Sequence, residues 1–155
     1  APRADGAGLT LFSDSAESRC STGMTIVRIA VAIITDAEGR MLVVRKRGTH
    51  AFMQPGGKIE AGESSLDALI RELREELGVA VDAAACSGLG VKSAPAAFEP
   101  GITVAAEPFH VVGVAEIALG AEIVEHRWVD ADNSQGLALA PLTRDCMLPL
   151  LATLS

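Results

Sequence analysis

The stretch from Ser64 to Leu77 restricts the fold of this chain more than any other. Leu66, Leu69, Ile70, Leu73 and Leu77 recur at the spacing of one apolar helical stripe. Ser64 or Ser65 suits the start as a cap, and Gly78 stands where a C-terminal glycine ends a helix. A helix with one apolar face must bury it against a second layer. At about 100° per residue, Glu72 and Glu76 fall on nearly one line, with Glu75 about 60° to one side. Three carboxylates therefore share a sector opposite much of the leucine stripe. Like charges at i,i+4 repel by about a few tenths of a kcal/mol, and the helix dipole disfavours anions near its C-terminus. A divalent cation reverses both penalties, and carboxylate oxygens select hard ions such as Mg²⁺ or Mn²⁺. Taken alone, a glutamate-rich helix is equally open to a plainer reading, an exposed acidic face paired with Arg71 and Arg74.

The rest of the chain supplies the layers. Residues 25–35 are rich in β-branched side chains and end in the turn-forming Asp36-Ala-Glu-Gly39, so residues 41–46 read as the return strand of a hairpin. Pro55-Gly56-Gly57 marks a sharp turn or a close backbone approach. Residues 79–91, 102–119 and 123–129 read as strand-bearing segments. Residues 140–151 read as a second helix, with Pro141 in its first turn and Pro149 limiting its end. Helices interrupting a strand-rich chain predict an α/β or α+β layered domain. The 155 residues fit one domain, 24–155, preceded by an extension (1–23) of little periodicity whose role the sequence does not reveal. At 49% apolar the chain is not a disordered segment, and no apolar run is long enough for a membrane span. The net charge of −7 argues against sequence-independent nucleic-acid binding. Cys20, Cys86 and Cys146 are odd in number and widely spaced, which predicts free thiols in a reducing, cytoplasmic setting.

Spacing decides between the two readings of the helix. Residues 57–79 fit the pattern GX5EX7REUXEEXGU, with U an aliphatic residue, at every fixed position. The chain thus resembles the Nudix hydrolases of the MutT-like type, and the PGGK turn and the later Arg127-Trp128-Val129 extend the resemblance over most of 24–151. The resemblance implies a Nudix fold, a mixed β-sheet sandwiched between helices, with the catalytic loop–helix–loop at 57–79. It implies metal-dependent hydrolysis of a phosphoanhydride in a nucleoside diphosphate linked to another group. An NTP or dNTP is favoured, with ADP-ribose, dinucleoside polyphosphates and nucleotide sugars as alternatives. Mg²⁺ is the implied cofactor, with Mn²⁺ as substitute. By position in the motif, Glu72, Glu75 and Glu76 match the metal-ligating carboxylates, one of which also serves as a base. Gly56 matches the residue whose carbonyl completes the metal shell, and Gly57 permits the turn. Arg71 and Glu63 match residues that orient the carboxylates. The resemblance is compatible with a homodimer, though no seam in the sequence identifies one.

A polyphosphate entering a protein of this charge needs local cations. Arg45, Lys46 and Arg47 lie where relatives offer one to phosphate, and Lys58 follows the glycine turn. Glu122, six residues before Trp128, matches a further carboxylate used by some members as metal ligand or base. Residues 139–143 offer no carboxamide where some relatives read purines, which weighs against oxidised-guanine selectivity. Phe52, Phe98 and Phe109 are candidate stacking residues that are as well explained as core. Pro95 falls where some ADP-ribose pyrophosphatases carry a proline, and His50 and His110 lack a neighbouring nucleophile.

Overall fold

Strand β2 (Thr25–Ile34) is the axis of the structure, a computed structural model that describes residues 17–19, 25–96, 100–114 and 116–154. Its β-branched run suits a strand buried on both faces. Along its whole length β2 pairs in parallel with β7 (Ile102–Val111), from Thr25↔Ile102 to Ile34↔Val111. The outer edge of β7 carries β5 (Cys86–Gly88) and β6 (Lys92–Pro95), both antiparallel. The other edge of β2 is taken by β1 (Glu17–Arg19) and β4 (Gly56–Lys58), again antiparallel. Part of the N-terminal extension thus contributes a strand.

With both edges of β2 occupied, β3 (Met41–Lys46) cannot return alongside it as the expected hairpin. Only the bridge Thr35↔Met41 survives beyond the turn, and β3 pairs instead with β8 (Ile123–Val129) in a separate two-stranded sheet. The turn itself is well braced. Asp36 accepts from the main chain of Glu38 and Arg40 and pairs with the Arg40 guanidinium at 2.8 Å.

Alternation along β2 feeds two cores. Ala30, Ala32 and Ile34 pack with Leu69, Leu73 and Leu77 of α1 (Ser65–Leu77), whereas Val31 and Ile33 pack with Met147 and Leu151 near the C-terminus. The expected mixed sheet between helices is the observed architecture. Helix α1 starts at its Ser64 cap, whose hydroxyl accepts from the Asp67 N–H at 3.0 Å, and ends at Gly78 with φ 65°. Strand β7 fills the first part of the strand-bearing segment read at 102–119. The chain then folds over the end of α1, where Ala118 and Gly120 donate to the carbonyls of Leu77 and Glu76. Those are helix-end acceptors that would otherwise need water.

The C-terminal helix departs from expectation at Pro149. It begins at residue 141, passes through a π-helical turn (Thr143–Met147) and continues as α2 (Leu148–Leu151), with Pro149 inside rather than at the end. Proline offers no N–H and crowds the preceding turn, and the wider turn, in which Leu148 N–H donates to Thr143, accommodates it. Among the described residues no helix is long and apolar enough to cross a membrane.

Candidate functional site

The β4 glycines bring the loop against α1. Gly56 has φ 145°, and a Cβ there would collide with the Ala30 carbonyl of β2. A Cβ at Gly57 would overlap the Glu72 carboxylate. Glycine is thus required at both positions, once by strand pairing and once by a side chain of the helix. The Gly56 N–H donates to Glu76 Oε1 at 3.1 Å, fastening β4 to α1.

The structure splits the carboxylate sector that helical geometry predicts. Glu76 is buried, on the side of α1 that meets the sheet rather than opposite it. Its second oxygen lies 3.2 Å from Lys46 Nζ. Burial raises the Glu76 pKa, and Lys46 and the Gly56 N–H oppose that rise. Glu72 is largely enclosed beside Gly57, while the Glu75 side chain is 60% exposed. Arg71 stands among them. It forks onto Glu63 at 2.8 and 3.1 Å, reaches Glu72 at 3.0 Å and the Lys58 carbonyl at 3.1 Å, and lies 3.6 Å from Glu75. Glu63 also accepts from the Glu60 N–H, closing the loop before the helix. The bidentate contact holds the Glu63 carboxyl below its ordinary range and raises the guanidinium pKa. Among the described residues no three acidic, histidine or cysteine side chains converge as a ready-made metal cluster. The donor set nonetheless suits a hard cation: carboxylates at i, i+3 and i+4 and adjacent main-chain carbonyls, all oxygen.

The remaining candidates separate. Lys46 and Lys58 line a cavity of about 440 Å³ together with Gly56, Gly57 and Glu72. Arg45 faces elsewhere, bonded to Glu125 at 3.0 Å and the Thr49 carbonyl at 2.7 Å, so the structure does not bring it to this group. Arg47 binds the Ala121 carbonyl. Glu122 is exposed. Its main-chain carbonyl accepts from Arg47 N–H at 2.7 Å, and among the described residues its carboxylate forms no metal-holding cluster with Glu72 and Glu76. Phe52 is buried in the second core, with the Arg127 guanidinium 5.6 Å from its ring, and Phe109 packs on the first. Phe98 lies outside the described residues, as does Cys20. Pro95 lines the cavity, and His110 shares a 3.0 Å hydrogen bond with Thr35. Two lining residues have no motif to announce them, Gln54 and Thr143, both buried polar side chains.

Known proteins resemble this chain in sequence and fold. A 47-residue stretch is 47% identical to an RNA pyrophosphohydrolase of Halorhodospira halophila, covering 30% of this chain and 26% of that protein. Over 61 residues the chain is 41% identical to the 8-oxo-dGTP diphosphatase of Escherichia coli K12, covering 36% of this chain and 46% of the relative. These matches span less than half of either curated relative. A NUDIX hydrolase from Nitrosomonas europaea superposes with a TM-score of 0.65 at 27% identity, over 81% of this chain and 88% of that one. The model of the NUDIX domain matches residues 25–151, so the chain belongs to the NUDIX family.

Proposed function

We propose that this protein is a divalent-metal-dependent pyrophosphohydrolase that cleaves a phosphoanhydride bond in a nucleoside diphosphate linked to another group. Mg²⁺ is the working ion, and an NTP or dNTP is the favoured substrate. The observation that carries this reading is the convergence of Glu72, Lys46, Lys58 and the paired glycines on one cavity, with Glu76 buried behind them. A buried carboxylate is costly unless a positive charge compensates it. Glu72, Glu75 and Glu76, with the Gly56 carbonyl, are the residues that would hold the metal. When bound, the ion neutralises phosphate charge and lowers the pKa of water. The chain supplies the positioning. Arg71, anchored on Glu63, aims Glu72, which accepts a proton from the attacking water. Lys46 and Lys58 meet phosphate oxygens. The second glycine lets Glu72 sit against the turn without obstruction. Glu63 serves as the anchor alone and touches no substrate.

The relatives support the class and differ in substrate, one named for RNA and another for 8-oxo-dGTP. The setting we propose is cytoplasmic. A panel of (d)NTPs, ADP-ribose, diadenosine polyphosphates and nucleotide sugars, assayed with Mg²⁺ and Mn²⁺, tests the reading. Turnover of a nucleoside triphosphate to the monophosphate and pyrophosphate is expected. Binding without turnover of any of them would instead identify a nucleotide-binding module.

A further inference from the structure

We propose that Gln54 and Thr143 form a reading site for the hydrogen-bonding edge of a nucleobase, one that presents an N–H donor to Gln54 beside an acceptor for the Thr143 hydroxyl. The assignment rests on the nucleotide reading above and deepens it.

Two buried side-chain atoms, Gln54 Oε1 and Thr143 Oγ1, have no hydrogen-bond partner among the described residues. Gln54 is 4% exposed and Thr143 is fully buried, and both line the cavity that also holds Glu72 and Lys46. Buried polar groups are paired in the great majority of cases, and leaving one unpaired costs stability. Two such atoms on one cavity are groups held ready for a ligand.

The local structure fixes what each atom offers. The Gln54 Nε2 donates to the Ala32 carbonyl at 2.8 Å in the middle of β2. A carbonyl can only accept, so the amide nitrogen must face it and the free atom is the oxygen, an acceptor. Phe52 and Leu139 form a parallel bridge, with Phe52 N–H donating to Ala138 and Ala140 N–H to Phe52, both at 2.8 Å. That bridge ties the segment leading to Gln54 to the segment opening the C-terminal helix, where Thr143 stands. The first helical bond there, Arg144 N–H to Ala140, already lies beside Thr143, and its hydroxyl does not fold back on a carbonyl of the preceding turn. The hydroxyl keeps both its O–H and its lone pairs unused.

A neutral acceptor and a neutral hydroxyl lining one cavity suit the edge of a base. The pair does not match phosphate, which the Gln54 oxygen repels. The flanking walls are aliphatic, with Ile29, Val31, Val104 and Leu142 suited to the flat faces of a ring. A cavity of about 440 Å³ falls within the usual range for small-molecule sites. Residues 139–143 carry no carboxamide, and Gln54 brings one to the cavity from the segment ahead of the glycine turn.

The test compares Thr143→Val, Thr143→Ser and Gln54→Met with wild type on the four NTPs. Base-free phosphoribosyl diphosphate serves as substrate or competitive inhibitor. Expected for Thr143→Val is a KM raised roughly 3- to 10-fold for the NTPs bound through this edge, as for one lost hydrogen bond. Its kcat should hold, its base-free ligand should bind as before, and its melting temperature should not fall. Thr143→Ser should behave as wild type, and Gln54→Met should raise the same KM values. Unchanged KM for every NTP in Thr143→Val overturns the assignment, as does an equal loss with the base-free ligand. A drop in melting temperature without a KM change overturns it too, because the hydroxyl would then be structural. A wild-type protein that turns over no nucleotide overturns the pyrophosphohydrolase reading itself, a result distinct from active wild type with indifferent variants.

Discussion

Two groups of polar residues line one cavity and are built on opposite principles. Around α1 the charged side chains are committed to one another. Glu76 has a partner on each oxygen, Lys46 and the Gly56 N–H, and Glu63 takes both of its oxygens to Arg71. At Gln54 and Thr143, neutral atoms are left without partners. Charges cannot be left waiting in a partly dry site, since an unpaired buried ion costs far more than an unpaired hydroxyl. The chemical residues are therefore held by internal pairs that a cation and phosphates must displace, whereas recognition atoms can stand open. The first group should control kcat and the second KM.

The strongest way to break that division is Glu72→Gln. The substitution keeps the shape beside Gly57 and removes the proton acceptor. We expect kcat to fall by at least about 10², with KM little changed because Lys46 and Lys58 still meet the phosphates. Steady-state kinetics across the NTPs measures both. A raised KM with intact kcat would make Glu72 a substrate-positioning residue, and Glu122 would become the next candidate base despite its exposed placement.

Glu76→Gln separates charge from geometry within the same group. Glutamine can still accept from the Gly56 N–H, so β4 stays docked, but the buried negative charge is gone. Calorimetric titration with Mg²⁺ or Mn²⁺ at neutral pH should show binding in wild type and lose most of it in the variant. Identical titrations would remove Glu76 from the metal ligands.

Arg71→Ala is expected to cost less than loss of Glu72, on the order of 10–100-fold in kcat, the usual range for groups that orient a ligand. The loss arises because Glu63, Glu72 and the Lys58 carbonyl all lose one shared donor. Lysine at this position should restore little, as it cannot fork onto Glu63 while reaching Glu72. Full activity in Arg71→Lys would show that the charge matters and the planar fork does not.

How far the sequence disclosed these two groups follows from the range of the interactions involved. Helix α1, its Ser64 cap and its Gly78 end are set within a few residues, and periodicity exposes them. The motif spacing exposes Glu72, Glu75, Glu76 and Arg71 for the same reason. The fate of β3 depends on β1, β4 and β7 filling the edges of β2, which no local pattern records. Arg45 and Lys46 are neighbours of equal promise, yet one pairs with Glu125 and the other with Glu76. A strand sends adjacent side chains to opposite faces, and the register irregularity between these two against β8 could not be read in advance. The exposure of Glu75 and the burial of Glu76 likewise required the position of β4. Gln54 and Thr143 are ordinary residues until the bridge at Phe52 and Leu139 brings their segments together.

The smallest expected effect concerns the cysteines at the two cores. Cys86 packs against the core shared with α1, and Cys146 against the core shared with the C-terminal helix, so the sheet lies between them. Both thiols are free, and side chains directed to opposite faces of a sheet point apart and cannot be bridged. Each thiol instead donates to a carbonyl, Cys86 to Asp82 at 3.6 Å and Cys146 to Ser93 at 3.7 Å. Burial and the neighbouring Asp82 raise the Cys86 pKa, which keeps it a thiol and slows its oxidation. Melting curves with and without dithiothreitol should therefore overlay. A native bridge is worth about 2–4 kcal/mol, and each kcal/mol moves the midpoint of a domain this size by about 2–4 °C. A fall of several degrees on reduction would thus be readily seen. It would mean that one of these thiols is cross-linked rather than held by packing alone.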